Sequence, residues 1–346
     1  MSKSILTYSA LSKFRDCRKA YDWRINHGLV PIGRDAKVYL GKVFHKALEQ
    51  WYRLDLEGNA KNSEAIDRIL CVFDSAYPER NSNPEHKRAW HLARAMFQAY
   101  IQRHLVENFH VVAVEHKFEA PIINPATGKR SRTFEMQGKV DLVVQMHGSG
   151  DYYIVEHKTA ANITGDYIER LPLDFQVHLY SHYLSKDLGV RIAGVIYNVT
   201  GKAQIKQRQG ETEQQFASRK ADLIAKSRSS RSSAKRRKPE TDQEFQARLA
   251  AKYEEPGMFH REELFISSND VQRTISEVWQ LTQQLLIARR AGNWYRNTGH
   301  CIRFNQKCEY FELCRSNDNP NIINNFFTQK PAHSELDEER EEEPVF

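Results

Sequence analysis

The sequence predicts an α/β chain in which a mixed central sheet is flanked by helices, and three observations predict it. Helical spacing of apolar residues dominates up to about residue 108, alternating segments rich in β-branched residues follow to about residue 160, and helix and strand patterns then take turns to about residue 292. That order suits an α/β core better than an all-α protein. At 346 residues the chain is long enough for one large domain or two modest ones with a real core.

Taken in order, Ser9 reads as the N-cap of a first helix reaching about Ile25, with Leu11, Phe14, Arg18 and Tyr21 at helical spacing. A second helix spans residues 38–56 and puts Val43, Phe44, Ala47, Leu48 and Trp51 on one side; two more helical patterns cover residues 64–77 and 85–108. Residues 110–122 alternate as a strand, residues 125–128 form a turn, and residues 132–146 and 151–160 complete a meander. A helix over residues 171–189 and a strand over 191–200 follow. Residues 201–257 turn polar and basic, and read as an insertion with partial helix, mobile at its Ser/Arg/Lys centre. Its bland reading is a solvated loop and its functional reading a phosphate-contacting arm; both stay open. A strand over residues 258–267 and a long amphipathic helix ended at Gly292 lead into a cysteine-rich segment. These patterns divide the chain into an N-terminal helical part (1–110), a core sheet with its helix (111–200), the insertion (201–257), a closing segment (258–318) and an acidic, disordered tail (319–346).

Composition narrows the class. Apolar residues make up 40% and charged residues 27%, which is ordinary for a globular protein. The net charge is +7, and the acidic run at 335–343 hides an even more cationic body suited to a polyanionic partner. No apolar run approaches the roughly 20 residues a membrane span needs, and the charged N-terminus does not read as a signal peptide, so the chain is expected to act in the cytosol of its host.

Two strand-like segments carry acids where a buried strand would avoid them. Asp141 interrupts the run 138–144, and Glu156 and Lys158 sit in residues 152–158. Side chains alternate along a strand, so residues 156 and 158 share a face, and Asp141 joins them if the strands are neighbours. Two carboxylates suit a hard divalent cation, and an ammonium group beside them suits a water attacking a phosphodiester. A salt-bridged pair on a sheet surface is the plain alternative.

Further motifs surround this set: Gly41-Lys-Val-Phe-His45-Lys-Ala-Leu48-Glu49, Gly138-Lys-Val-Asp141, Glu156-His-Lys158 and Gln176-Val-His-Leu-Tyr180. In this order they resemble those of the PD-(D/E)XK nuclease superfamily, and more narrowly its RecB-like branch, with Val140 standing where the superfamily's name has proline. The resemblance implies a PD-(D/E)XK core, with His45, Asp141 and Glu156 binding Mg²⁺ or Mn²⁺ and Lys158 assisting the water. An imidazole ligand favours Mn²⁺. Gln176 and Tyr180 would line the site or touch DNA. The implied activity is DNA hydrolysis, as an exonuclease on single strands or ends. Two alternatives stay open: a non-cutting module that holds DNA ends, and a structure-specific endonuclease. No Walker motif is present, so any helicase activity would come from a partner. The compact chain with its basic insertion also resembles stand-alone versions in phages and prophages.

Cys17 lies in the first helix, and Cys301, Cys308 and Cys314 lie together near the C-terminus. In RecB-like exonucleases of the CRISPR-adaptation and AddB type, a similar layout holds a 4Fe–4S cluster, which the resemblance implies here as a staple closing the two chain ends. Zinc and ordinary buried thiols are the alternatives. Cys71 reads as a packed thiol.

Overall fold

The change of periodicity near residue 109 marks a boundary in the fold, with helices before it and a sheet after it. The computed structural model describes residues 3–32, 36–78, 80–226, 232–303 and 306–336. A short strand, β1 (Ser4–Leu6), precedes α1 (Tyr8–Asp16). Thr7 rather than Ser9 caps α1, its hydroxyl accepting from the Ala10 N–H at 3.2 Å. The helix expected to reach Ile25 breaks at Cys17, whose backbone is extended (φ −161°, ψ 116°). It restarts as α2 (Arg18–Tyr21) and ends in a π-helical turn over Asp22–Asn26.

After β2 (Leu29–Pro31) come α3 (Ala36–Leu56), α4 (Ser63–Ala76) and α5 (Pro84–Arg103). Asn62 and Asn83 cap the last two, and Pro84 occupies a first-turn position where its missing N–H costs nothing. The meander is β3 (Phe109–Ile123), β4 (Arg130–Met146) and β5 (Tyr152–Ala160). Helix α6 (Gly165–Glu169) leads to α7 (Phe175–Leu188), which ends at Gly189 in the left-handed region (φ 68°), and then to β6 (Ile192–Gly201).

The sheet is mixed. β3 and β5 pair antiparallel with β4, β6 runs parallel to β5, and β7 (Phe259–Phe265) closes the edge antiparallel to β6. β1 lies parallel beside residues 134–136 of β4, so two strands share one side of β4. One apolar cluster joins Leu142, Val144, Val155 and Ile196 to α3, α4 and α5. The other face, with Val143, Ile154 and Val195, packs on α1, α7 and α10 (Ser268–Ala291). Ser267 caps α10 and Gly292 ends it.

The insertion is partly helical, as its pattern predicts. It is also docked: it forms α8 (Glu213–Lys226) and α9 (Asp242–Glu254), and α9 buries Phe245, Leu249 and Tyr253 in the first cluster. Apolar positions at four-residue spacing in a polar stretch are enough to seat one helix face. Part of its presumed mobile centre, residues 227–231, lies outside the described residues. The tail is also ordered at first. After the hairpin β8 (Ile302–Arg303) and β9 (Gln306–Lys307) and helix α11 (Phe311–Arg315), α12 (Pro320–Phe326) leads into β10 (Phe327–Gln329), which pairs antiparallel with β2. Residues 337–346 lie outside the described residues. Cys71 is exposed on α4, not packed. No described helix is long and apolar enough to cross a membrane.

Candidate active site

The β4–β5 ladder runs from Gln145–Tyr152 to Leu142–Val155 and stops. The next pair would be Asp141 and Glu156, so these acids lie where the two strands part, while β5 continues beside β6 to Ala160. Asp141 bridges the opening: its Oδ2 accepts from the His157 backbone N–H at 2.7 Å, and its Oδ1 lies 3.4 Å from Nδ1 of His45 on α3. Alternation along β5 turns Glu156 and Lys158 to one face, where ammonium and carboxylate pair. Gln176, in the first turn of α7, ties the two together. Its Oε1 accepts from Lys158 Nζ at 3.0 Å and its Nε2 donates to Glu156 Oε1 at 2.9 Å. The turn is fixed by Asp174, whose carboxylate caps α7 through the Gln176 N–H at 2.9 Å. Tyr180, one turn on, is buried edge-on against Phe118 and Tyr8.

Burial sets the electrostatics. It pushes the Glu156 carboxyl up to about 7, helped by the neighbouring Asp141 charge and opposed by Lys158. Burial works against the Lys158 ammonium too, yet the Glu156 carboxylate outweighs it and raises the lysine. Both partners of one ion pair therefore move upward: at Glu156 burial, joined by the Asp141 charge, outweighs the lysine, whereas at Lys158 the surrounding carboxylates outweigh burial. Asp141, although half-buried and partly desolvated, is held below the usual carboxylate range by His45, which is itself raised by Asp141.

These residues fit a divalent cation in donor type: a buried and a half-buried carboxylate of like charge, with an imidazole beside them. Their arrangement is not yet a closed ligand set, since no group of three or more His, Cys, Asp or Glu among the described residues is placed to hold an ion. Glu156 instead spends Oε1 on Lys158 and Gln176.

A sequence profile of the PD-(D/E)XK nuclease superfamily matches residues 5–315. The chain belongs to that superfamily. No curated protein matches it significantly. Among solved structures, a candidate exonuclease from Eubacterium rectale covers 98% of this chain and 94% of its own, with 10% identity and a TM-score of 0.44. So distant a likeness carries no argument about activity.

Several residues around the site were not singled out by their sequence pattern. The tetrapeptide Val-Glu-His-Lys occurs twice in this superfamily member, at 114–117 and 155–158. In the first copy Glu115 adopts a left-handed backbone (φ 51°), and its carboxylate pairs with Lys139. Such a conformation costs a non-glycine residue about 1 kcal/mol or more. Burial and the Asp141 and Glu49 charges raise Glu115. Glu49 itself sits one turn after His45, buried and bonded to Arg53 at 2.9 Å. The repeat of 155–158 was a readable sign of Glu115; its pairing with Lys139 was not, because it depends on strand register.

Behind β5, His157 is stacked on Tyr52 at 5.7 Å and edge-on to Tyr100 at 5.6 Å. Burial lowers its pKa to about 3, so the ring is neutral, and neither ring nitrogen has a hydrogen-bond partner. Beneath it runs a closed polar ring. Arg261 donates to both oxygens of Glu107 at 2.6 and 2.9 Å and to Asn198 Oδ1 at 2.6 Å. Asn198 donates to the Tyr100 hydroxyl at 3.1 Å, the Tyr52 and Tyr100 hydroxyls meet at 2.8 Å, and Tyr52 donates back to Glu107 at 2.8 Å. Two helices and two strands are thereby tied behind the site.

Gly138 is explained by packing. A Cβ there would come within 2.4 Å of the Phe118 ring, and Phe118 in turn meets Tyr180 edge-on at 5.4 Å. Three of the four cysteines assigned above to a metal cluster lie in a separate apolar cluster. Cys17, Cys308 and Cys314 pack with Trp23, Tyr310 and Leu313, and all four are free thiols. Burial raises the Cys301 thiol, and the nearby Cys314 and Cys17 push it the same way. The extended break at Cys17 brings the N-terminal thiol into this group.

Proposed function

We propose that the chain is a divalent-metal-dependent deoxyribonuclease that hydrolyses phosphodiester bonds, acting as an exonuclease on single strands or DNA ends. The observation that carries this reading is the parting of β4 and β5 at Asp141 and Glu156, with His45 and Lys158 beside them. His45, Asp141 and Glu156 would hold the ion. When bound, it would place positive charge against the scissile phosphate. Lys158 would donate hydrogen bonds to the attacking water and to the phosphoryl oxygens, where charge grows. Gln176, already bonded to Lys158 Nζ, keeps that ammonium aimed into the opening, and Tyr180 packs as its support. Retention of two acids and the lysine favours a cutting enzyme over a module that only holds DNA ends.

The experiment is digestion of matched linear and circular single strands with Mg²⁺ or Mn²⁺, and again with EDTA. The expected result is loss of the linear strand alone, abolished by EDTA. Cutting of circles would replace the exonuclease with an endonuclease, and undiminished cutting in EDTA would remove the metal.

The same reading assigns Cys17, Cys301, Cys308 and Cys314 to a 4Fe–4S cluster that staples the chain ends. Its support is donor type: Cys17, Cys308 and Cys314 share one packed cluster and Cys301 lies near Cys17 and Cys314, although no three of them among the described residues stand at metal-holding positions. Anaerobically purified protein should absorb near ~400 nm and contain iron; a colourless, iron-free sample would leave four packed thiols.

A further inference from the structure

The basic insertion is rooted at the end of the sheet that carries Lys158. In the β5–β6 register Lys158 lies opposite Val199 and Ala160 opposite Gly201, and the Lys202 N–H donates to the Ala160 carbonyl at 2.7 Å. The chain thus leaves the sheet within three residues of the level of Lys158. Residues 202–240 contain twelve Lys and Arg against four Asp and Glu, an excess larger than the +7 of the whole chain.

The described parts of this segment, residues 202–226 and 232–240, are held in place. Glu211 accepts from Arg219 at 2.5 and 2.7 Å and from the Arg237 backbone N–H at 2.9 Å. Glu240 accepts from Arg248 twice at 2.7 Å and from the Arg208 backbone N–H at 2.8 Å. α9 anchors the base in the core, while α8 buries none of its residues. Two of the four acids are thereby consumed as internal clamps, and Lys206, Arg208, Lys226, Lys235, Arg236 and Lys238 stand exposed. Phe216 adds a half-buried ring with Arg219 and Lys220 over it at 5.5 and 5.8 Å. A merely tolerated solvated loop has no need of two carboxylate clamps and a buried anchor.

We propose that α8 and residues 232–238 form a fixed platform for the sugar–phosphate backbone of DNA leading to the site. Its cations would neutralise phosphates and its aromatic ring would support a stacked base. The proposal rests on the nuclease reading for the identity of its polyanion, and its test does not require cutting.

Binding of a labelled single strand of about 30 nucleotides is titrated in EDTA across a salt series, for wild type and for Lys206→Gln/Lys235→Gln/Arg236→Gln/Lys238→Gln. The variant is expected to bind about tenfold or more weakly at low salt, with a log–log salt slope smaller by about three. A charge-conserving set, Lys206→Arg/Lys235→Arg/Arg236→Lys/Lys238→Arg, should keep the wild-type slope, which separates lost charge from lost fold. Unchanged affinity and slope in the glutamine variant would overturn the platform. So would wild-type protein that binds phosphatidylserine vesicles and not DNA, which would make the surface a membrane contact. Wild type that binds DNA with the expected slope yet never cuts it with metal present would overturn the nuclease reading and leave the platform standing.

Discussion

His157 illustrates how much one residue does through its backbone. The amide N–H of His157 orients Asp141, while its side chain points away into an aromatic cage and makes no hydrogen bond. A buried imidazole without a partner forfeits its hydration. His157→Phe keeps the ring and the amide and removes the two nitrogens, so it is expected to be neutral or to stabilise by about 1 kcal/mol. Denaturant midpoints measure this, and a clear loss of stability would mean that a ring nitrogen has a partner in solution. At this scale the sequence was informative where chemistry is local: Glu156 and Lys158 share a face by strand alternation alone. Asp141 needed strand pairing, and the pairing of Glu115 with Lys139 needed both register and an unusual backbone, which the repeated tetrapeptide does not report.

At the scale of elements, the insertion depends on its two glutamate clamps. The Arg219 side chain and the Arg237 backbone pull Glu211 down to about 2, and Arg248 does the same for Glu240, against an ordinary 4.5. A depressed carboxyl contributes stability above 4.5 that is lost as pH falls towards 2. Protection of α8 amides from hydrogen exchange should therefore fall across that window before β5 loses its own, and Glu211→Gln should flatten the change. Equal α8 protection at both ends of the window would show that the clamps do not hold it. Long periodic elements such as α3 and α10 were legible to within a few residues, as was the start of α5, whose expected end at 108 fell back to Arg103. The start of α1 was not, because Thr7 and Ser9 are both good caps and tertiary contacts choose between them. β1, only three residues long, exists through its pairing with β4 and carries too little pattern to be seen alone. The docking of α9 was hidden because Phe245, Leu249 and Tyr253 are diluted among charges.

Across the whole molecule, the polar ring of Glu107, Arg261, Asn198, Tyr100 and Tyr52 joins α3, α5, β6 and β7 behind the opening. Removing the Tyr100 hydroxyl leaves its buried neighbours short of partners, so Tyr100→Phe should cost about 1–3 kcal/mol, read as a lower denaturant midpoint. An unchanged midpoint would mean that the ring is dispensable to the fold. The α/β class followed from periodicity, whereas this ring joins residues up to 154 apart and could be found only in three dimensions. The sheet it braces matters because the fold's central act is to let β4 and β5 part where Asp141 and Glu156 face each other beside Lys158. The most direct test is a time course of end-labelled linear DNA with Mn²⁺ or Mg²⁺, comparing wild type with Lys158→Ala. The wild type is expected to shorten the label progressively and the variant to be slower by about 10²–10³-fold. Digestion by Lys158→Ala at the wild-type rate would contradict the account.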